Sequence, residues 1–136
     1  LMRMHTRYGY ALHVSCHSAP DSIMKPQINP RVNYTADIVI SDNFGHTSAP
    51  FIGKILRRAL TEHGYKVLSN DPFQGDELIN ANGTPQNHIH SIQIEINRGL
   101  YMHEATHKID EHRLAMLSAD LKQSFIALYK EIQHKM

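Results

Sequence analysis

The chain has 136 residues, enough for one domain with a hydrophobic core but few for a two-lobed enzyme. Its 14 Lys and Arg residues nearly balance 13 Asp and Glu residues, giving a formal charge of +1, so no basic excess indicates nucleic-acid binding. No apolar run approaches the roughly 18 residues of a membrane span, and the single cysteine, Cys16, cannot form an internal disulfide, which favours a reducing compartment such as the cytoplasm.

The N-terminal part of the chain predicts one strand followed by a loop. The apolar segment 10–16, bounded by Gly9 and by a turn-prone Ser-Ala-Pro-Asp-Ser run, predicts a buried strand in which Cys16 belongs to the core. Residues 22–36 contain two prolines and two asparagines and are expected to form a loop.

The middle of the chain predicts a parallel β–α–β unit. A short strand at 37–40 is followed by a helix that is expected to start with Ser48 as its cap and Pro50 in its first turn. Gly64 is expected to end this helix in the left-handed conformation. A strand at 65–69 then completes the unit.

The segment 88–97 carries the clearest pattern in the chain. One histidine and three isoleucines occupy its even positions from 90 to 96, and polar residues occupy its odd positions from 91 to 97. This period of two predicts a strand deep in a sheet, with one apolar and one polar face. A buried carboxylate must be paired, ligated or chemically useful, so Glu95 is the first candidate for a catalytic residue. The alternative is a structural ion pair between Glu95 and Arg98.

The C-terminal segment predicts a long helix. Asp110 is its expected cap, and an apolar stripe follows at helical spacing, formed by Leu114, Leu117, Leu121, Phe125, Leu128 and Ile132. Together the elements predict a single α/β domain over residues 1–136, in which helices flank a mostly parallel or mixed sheet.

Two side chains at the ends of predicted strands could take part in metal binding or catalysis. His17 follows the first predicted strand, where ligands collect in open α/β sheets, and a neutral imidazole can bind zinc. The alternative is a loop histidine bonded to a nearby carbonyl. Glu95 could act as a general base on a metal-bound water, and Arg98 could hold a substrate carboxylate with its planar guanidinium group.

A second metal motif lies further along the chain. His103, Glu104 and His107 fit the pattern H-E-x-x-H, in which two helical histidines bind zinc and the glutamate is the base. The pattern needs a helix and a third ligand. Its extended form with a Gly and a third His is not met, because Asp110 and Arg113 occupy those positions. A zinc protease-like site is therefore a minor alternative.

Four blocks of the chain resemble the N-formylglutamate amidohydrolase (deformylase) family, over residues 8 to about 107. They are Tyr8-Gly9 with Cys16-His-Ser-Ala-Pro20, Asp37-Ile-Val-Ile-Ser-Asp-Asn-Phe-Gly-His-Thr-Ser48, Gly64-Tyr-Lys-Val-Leu-Ser-Asn-Asp-Pro-Phe-Gln-Gly75 and Gln93-Ile-Glu-Ile-Asn-Arg-Gly-Leu-Tyr-Met102. The last block is the most specific, because it nearly repeats the family's Gln-Ile-Glu-Ile-Asn-Arg-x-Leu-Tyr-Met.

This resemblance implies a fold related to that of zinc-dependent carboxypeptidases and phosphorylase/hydrolase-like proteins. It also implies hydrolysis of a small N-acyl acidic amino acid, such as N-formylglutamate, to the free amino acid and formate. Zinc or another divalent metal would be the cofactor, with His17 as a metal ligand and Glu95 as the general base. The candidate substrate contacts are Arg98, Asn70, Ser48 and Asn43.

The chain also departs from the family pattern. Asn43 stands where the family usually has Arg, so one anion contact is expected to be absent. Asp76 replaces the second glycine of a Gly-Gly pair, which changes the charge and backbone freedom of that loop. The match is to the C-terminal half of the family, whose N-terminal half brings the other metal ligands. Two alternatives stay open: a truncated, inactive binding domain, or a site that a second copy or the N-terminal half completes.

Overall fold

A four-stranded mixed sheet forms the centre of the computed structural model, which describes residues 1–135. The strands are β1 (Ala11–Ala19), β2 (Ile38–Ser41), β3 (Val67–Ser69) and β4 (Ile89–Asn97), and they lie in the order β1-β4-β2-β3. A separate hairpin consists of β5 (Met102–His103) and β6 (Lys108–Ile109). The helices are α1 (Met2–Tyr8), α2 (Pro50–Glu62), α3 (Glu77–Asn82) and α4 (Glu111–Gln133).

Strand direction divides the sheet into two halves. β1 runs parallel to β4, and β2 runs parallel to β3, whereas β2 and β4 are antiparallel. The β2–α2–β3 segment confirms the predicted parallel unit, and the α/β class with a mixed, mostly parallel sheet and a long C-terminal helix is confirmed as well. Because β4 runs against β2, the carboxyl ends of β1 and β4 lie at one end of the sheet and those of β2 and β3 at the other.

Side-chain alternation gives the sheet one apolar face and a second face that is polar along β1 and β4 but carries a smaller apolar cluster around Val39 and Leu68. The even positions of β2 and β4 pack with α2 and α4 in a core that includes Ile38, Ile40, Ile52, Ile55, Leu56, Leu60, Ile92, Ile94, Leu128 and Ile132. The odd positions of β4 carry Ser91, Gln93 and Glu95, which are buried beneath loops and α3. A shift of one residue in pairing would exchange these faces, so the hydrophobic pattern sets the register.

The start of α2 differs from the prediction. Ala49, not Ser48, is the N-cap residue, and its backbone N–H donates to Nδ1 of His90 at 3.2 Å. Ser48 is completely buried and makes no capping hydrogen bond, so its predicted cap role is wrong. The physical reason lies one residue earlier: Thr47 is held against β4 by exchange of hydrogen bonds with the backbone of Ser91, which draws Ser48 into the interior.

Two other helix ends follow the prediction. Gly64 comes directly after the C-cap of α2 with φ of 92°, the left-handed conformation that glycine adopts most easily. Asp110 caps α4, because its Oδ1 accepts a hydrogen bond of 3.0 Å from the backbone N–H of Arg113. Among residues 1–135, none of the helices has the length and hydropathy that a bilayer crossing requires.

The first strand is less buried than predicted. β1 lies at the edge of the sheet, and Cys16 is exposed, so its assignment to the core is wrong. An edge strand has a neighbour on one side only, and apolar composition does not distinguish it from a central strand. β1 also extends to Ala19, so His17 lies within the strand and not in the loop that follows it.

Candidate functional site

The parallel pairing of β1 with β4 aligns two rows of polar side chains on one face of the sheet. His17 is the register partner of Glu95, and Ser15 is the partner of Gln93. One pair further back, Nδ1 of His13 lies 2.8 Å from Oγ of a buried β4 serine. Register partners on adjacent strands have neighbouring side chains on the same face. The structure therefore brings the two principal candidates, His17 and Glu95, into one site.

His17 is held at a single ring nitrogen. Its Nε2 lies 2.9 Å from Oγ of Ser15 and 3.1 Å from Oδ2 of Asp76, and 44% of its side chain is exposed. A Ser-His-Asp relay needs the serine and the carboxylate on opposite ring nitrogens. Because both groups approach Nε2, these three residues do not form a relay that would activate Ser15 as a nucleophile.

Glu95 is the buried carboxylate of the site, with only 6% of the residue exposed. Its Oε2 accepts a hydrogen bond of 3.1 Å from Nε2 of Gln93. Burial raises the pKa of Glu95 above its usual value, and the charges of His17 and Arg98 together with the Gln93 hydrogen bond offset only part of that rise. A carboxylate whose pKa is shifted towards neutrality is better suited to accept and return a proton.

Asp76 joins the site from the loop between β3 and α3. Its backbone N–H donates to Oε1 of Gln93 at 2.8 Å, and its Oδ1 caps α3 by accepting from the backbone N–H of Ile79 at 3.0 Å. Gln93 thus bonds to Asp76 and Glu95 at the same time. In the sequence, Asp76 stands out only as a departure from the family pattern, and no local signal indicates a role for Ser15 or Gln93.

Arg98 lies just beyond the end of β4 and bonds to β1. Its Nη2 donates to the backbone oxygen of Ser18 at 3.1 Å, and its Nε donates to Oγ of Ser18 at 3.3 Å. No ion pair joins it to Glu95 within residues 1–135, so the alternative of a structural Glu95–Arg98 pair is wrong. Ser18 is the register partner of Ile96 on the opposite face from His17, so these bonds anchor the guanidinium group at the carboxyl end of β1, where its charge still lowers the pKa of Glu95.

The other three candidate substrate contacts make no hydrogen bond to His17 or Glu95 within residues 1–135. Asn70 follows β3, and its side chain is bonded to Asp42, donating to Oδ1 at 2.8 Å and accepting from the backbone N–H at 3.0 Å. Asn43 donates to Oδ1 of Asn80 at 2.9 Å, and Ser48 is buried. These residues follow β2 and β3, whose carboxyl ends are opposite to that of β4. Their role as substrate contacts stays a prediction.

An open cavity of about 380 Å³ adjoins the site. It is lined by the loop 72–76 and by Gln93. A cavity of this size is adequate for a small amino-acid derivative. The loop reaches it by crossing the polar face, because Oγ of Ser41 donates to the backbone oxygen of Phe73 at 2.7 Å.

Residues 1–135 alone do not form a metal site of the expected kind. A catalytic zinc normally has three protein ligands, but no group of three His, Cys, Asp or Glu side chains in this range could hold a metal ion. The second motif fails as well. His103 lies in β5, and the segment up to His107 forms the turn to β6 instead of a helix. The zinc protease-like alternative is therefore wrong.

Comparison with known proteins gives a consistent family. The family model for N-formylglutamate amidohydrolase matches residues 1–102. The N-formylglutamate deformylase of Pseudomonas aeruginosa is 26% identical over 133 residues, which is 97% of this chain and 46% of that protein. The N-formylglutamate deformylase of Pseudomonas putida is 29% identical over 105 residues, or 76% of this chain and 38% of that protein.

A solved structure agrees with this result. The crystal structure of N-formylglutamate amidohydrolase from Ralstonia eutropha JMP134 superposes with a TM-score of 0.84 at 30% identity, covering 99% of this chain and 49% of that chain. The chain therefore spans about half the length, or less, of the relatives that it matches. On the family model and on this fold, the chain belongs to the N-formylglutamate amidohydrolase family.

Proposed function

We propose that the chain contributes the proton-transfer part of a site that hydrolyses the N-formyl amide of an acidic amino acid, such as N-formylglutamate. The observation that supports this proposal is the buried Glu95 carboxylate beside His17 on the polar face of the sheet. The substrate class follows the names of the relatives, which are N-formylglutamate deformylases.

In this proposal Glu95 moves the proton. It accepts a proton from water as the water oxygen bonds to the formyl carbon, and it delivers that proton to the amide nitrogen as the C–N bond breaks. The products are formate and the free amino acid. The raised pKa of Glu95 supports both steps, because the carboxylate is a stronger base and the neutral form persists closer to neutral pH. Gln93 keeps Oε2 in place by its hydrogen bond.

Arg98 is the proposed contact for an acidic group of the substrate. Ser18 occupies its Nε and Nη2, which fixes the guanidinium plane. The remaining N–H groups of a guanidinium can still bind a carboxylate. A substrate held there would place its amide beside His17 and Glu95, because all three residues lie towards the carboxyl ends of β1 and β4.

The family resemblance implies a zinc-dependent site. Such a site would need metal ligands from outside residues 1–135. This part of the chain does not gather three ligands. The proposal therefore assigns His17 as one contributor, and the remaining ligands come from further polypeptide or from a second copy of the chain.

Formate release from N-formyl-L-glutamate tests the proposal. The assay is run with and without added Zn²⁺, over a range of protein concentrations, on the wild type, Glu95→Gln and the matched control Glu111→Gln. Glu111 is exposed in the first turn of α4, away from the site. We expect Glu95→Gln to lower kcat by about 100-fold or more, the usual contribution of a general base, and the control to retain full activity. Equal turnover in all three proteins would contradict the role of Glu95.

A second candidate function is a binding domain without catalysis. The absence of a three-ligand group in residues 1–135 favours this candidate. It predicts that N-formylglutamate binds without formate release at any zinc or protein concentration. Calorimetric titration with the ligand, combined with the formate assay, separates the two candidates.

A further inference from the structure

A cleft that the proposed function does not use lies at the carboxyl ends of β2 and β3. It consists of two open cavities of about 290 and 250 Å³, which share the lining residues Phe44, Arg57, Ser69 and Asn70. The cavity beside Gln93 has different lining residues, so the cleft is a separate feature. β2 and β3 are parallel and joined by α2, and ligands of open α/β sheets collect outside the carboxyl ends of such strands.

Two cations of α2 line this cleft without a carboxylate partner. Lys54 and Arg57 are exposed, and neither makes a salt bridge within residues 1–135. The next residue, Arg58, differs because it pairs with Glu62 and Glu131. Residues three apart on a helix have Cβ atoms about 5–6 Å apart. Lys54 and Arg57 are therefore close enough to contact one anion together.

The carboxylates of the cleft wall already have donors from the protein. Oδ1 of Asp42 accepts from the backbone N–H of Gly45 at 3.1 Å and from Nδ2 of Asn70 at 2.8 Å. Asp71 accepts three hydrogen bonds from the backbone of residues 27–29. These five donors offset the charge of the two carboxylates, whereas the two cations of α2 have no such compensation. The cleft therefore favours an anionic ligand.

Phe44 adds an apolar contact at the rim of the cleft. Its side chain is 58% exposed, and its φ of 54° lies in the left-handed region that bulky residues rarely adopt. The residue lines both cavities, together with Arg57. Aromatic rings favour stacked or edge-to-face contacts with other rings. A ligand whose charge is held by Arg57 would thus have an aromatic neighbour for an apolar group.

We propose that this cleft binds a small phosphomonoester that carries an aromatic group, with Lys54 and Arg57 contacting the phosphate and Phe44 contacting the ring. A phosphomonoester has a charge of about −1.5 to −2 at neutral pH and three acceptor oxygens. These suffice for the planar fork of an arginine and the ammonium group of a lysine at once. The site goes beyond the proposed hydrolysis and does not depend on it.

Titration of the whole chain with phenyl phosphate, followed by ¹H–¹⁵N correlation NMR, tests the proposal. The backbone amides of Gly45 and Asn70 should shift, whereas that of Gly99, next to Arg98, should not. The comparison ligands are inorganic phosphate, which lacks the ring, and benzoate, which has the ring but a single negative charge. Both should bind more weakly than phenyl phosphate.

Three results of this titration would overturn the proposal. The first is the absence of shifts at Gly45 and Asn70 up to about 10 mM phenyl phosphate, well above the Kd of even a weak millimolar site. The second is a set of shifts confined to Gly99. The third is equal affinity for phenyl phosphate and either comparison ligand, which would contradict the phosphate contact for benzoate and the ring contact for inorganic phosphate.

Substitutions on α2 identify the residues that bind the phosphate. Arg57→Gln and Lys54→Gln should each raise the Kd of phenyl phosphate by about tenfold or more, because each removes a charged hydrogen-bond donor. The matched control Arg58→Gln removes the same charge from the same helix and should bind like the wild type. An equal loss of affinity in Arg57→Gln and Arg58→Gln would show that net charge alone matters and would overturn the site.

Phe44→Ala separates the ring contact from the phosphate contact. This variant should raise the Kd of phenyl phosphate by about threefold or more and leave that of inorganic phosphate unchanged. All the substituted side chains are exposed, so the fold should be retained, and thermal unfolding checks this. Binding is measured without N-formylglutamate or metal, so failure of the hydrolysis assay and failure of this inference are separate results.

Discussion

Asp71 ties the loop before β2 to the loop that carries Asp76. The residue is 8% exposed, and its carboxylate accepts three backbone hydrogen bonds. Oδ1 accepts from Gln27 at 2.6 Å and from Ile28 at 3.1 Å, and Oδ2 accepts from Asn29 at 3.1 Å. Burial raises the pKa of Asp71, but the three donors outweigh that effect and hold the pKa below its usual value.

The substitution Asp71→Asn should be strongly destabilising. The amide retains one oxygen for two of the donors, but its NH₂ group then faces the N–H of the third. An unpaired buried donor costs about 1–3 kcal/mol, and loss of the charge weakens the remaining bonds, so we expect a total loss of about 2–4 kcal/mol. For a chain of this length, that loss lowers Tm by about 7–14 °C.

Thermal and urea unfolding at several pH values test this expectation, with Asp37→Asn as the matched control. Asp37 accepts a single backbone hydrogen bond, from Lys66 at 2.8 Å, which an amide oxygen can replace, so a loss below about 1 kcal/mol is expected. Since the folded-state pKa of Asp71 is lowered, the wild-type advantage should be complete above the usual pKa of 3.8 and disappear as the pH falls through the folded-state value. Equal stability of the two variants at pH 7 would refute the reasoning.

Three further substitutions test the packing and electrostatics of the site and of the hydrophobic core. Gly75→Ala should lower the free energy of unfolding by about 1–3 kcal/mol, because Gly75 has φ of 116° and an added Cβ would overlap the side chain of Ile79. The control Gly53→Ala, in α2, should leave the stability unchanged or raise it slightly in the same thermal unfolding assay. Glu95→Gln should become more stable relative to the wild type as the pH rises above 4.5, because the raised pKa of Glu95 means that ionisation of the buried carboxylate opposes folding. Urea unfolding of both proteins at about pH 4 and about pH 8 measures this change in relative stability. Leu128→Ala, at a core position only 1% exposed, should cost about 2–5 kcal/mol in the same unfolding assays.

The elements that depend on local pattern were predictable from the sequence. The alternation in β4 gave its two faces, and the stripe and cap of α4 gave its position and start. The proline and the glycine that bound α2 marked its ends within a residue or two. These signals are local because they depend on side-chain periodicity and on the conformational limits of single residues.

The arrangement of the site depended on contacts that are distant in sequence. β1 and β4 pair although they are 78 residues apart in the sequence, as the His13–Ser91 contact illustrates. No local sequence signal determines the register of this pairing. The odd-position row His13, Ser15 and His17 was a signal for a polar face on β1, but the apolar composition of the segment obscured it. The position of Asp76 depends on the path of a loop over the sheet, which turn residues alone do not define.

The central claim is that His17 and Glu95 act in one site, and a double-mutant cycle tests it most directly. Formate release from N-formyl-L-glutamate is measured for the wild type, His17→Ala, Glu95→Gln and the double variant, and kcat/KM is compared. Residues that act as a unit show strongly non-additive losses. We therefore expect kcat/KM of the double variant to be about as low as that of the less active single variant. If the two losses multiply in full, or if neither substitution lowers kcat/KM, the claim of a shared site is contradicted.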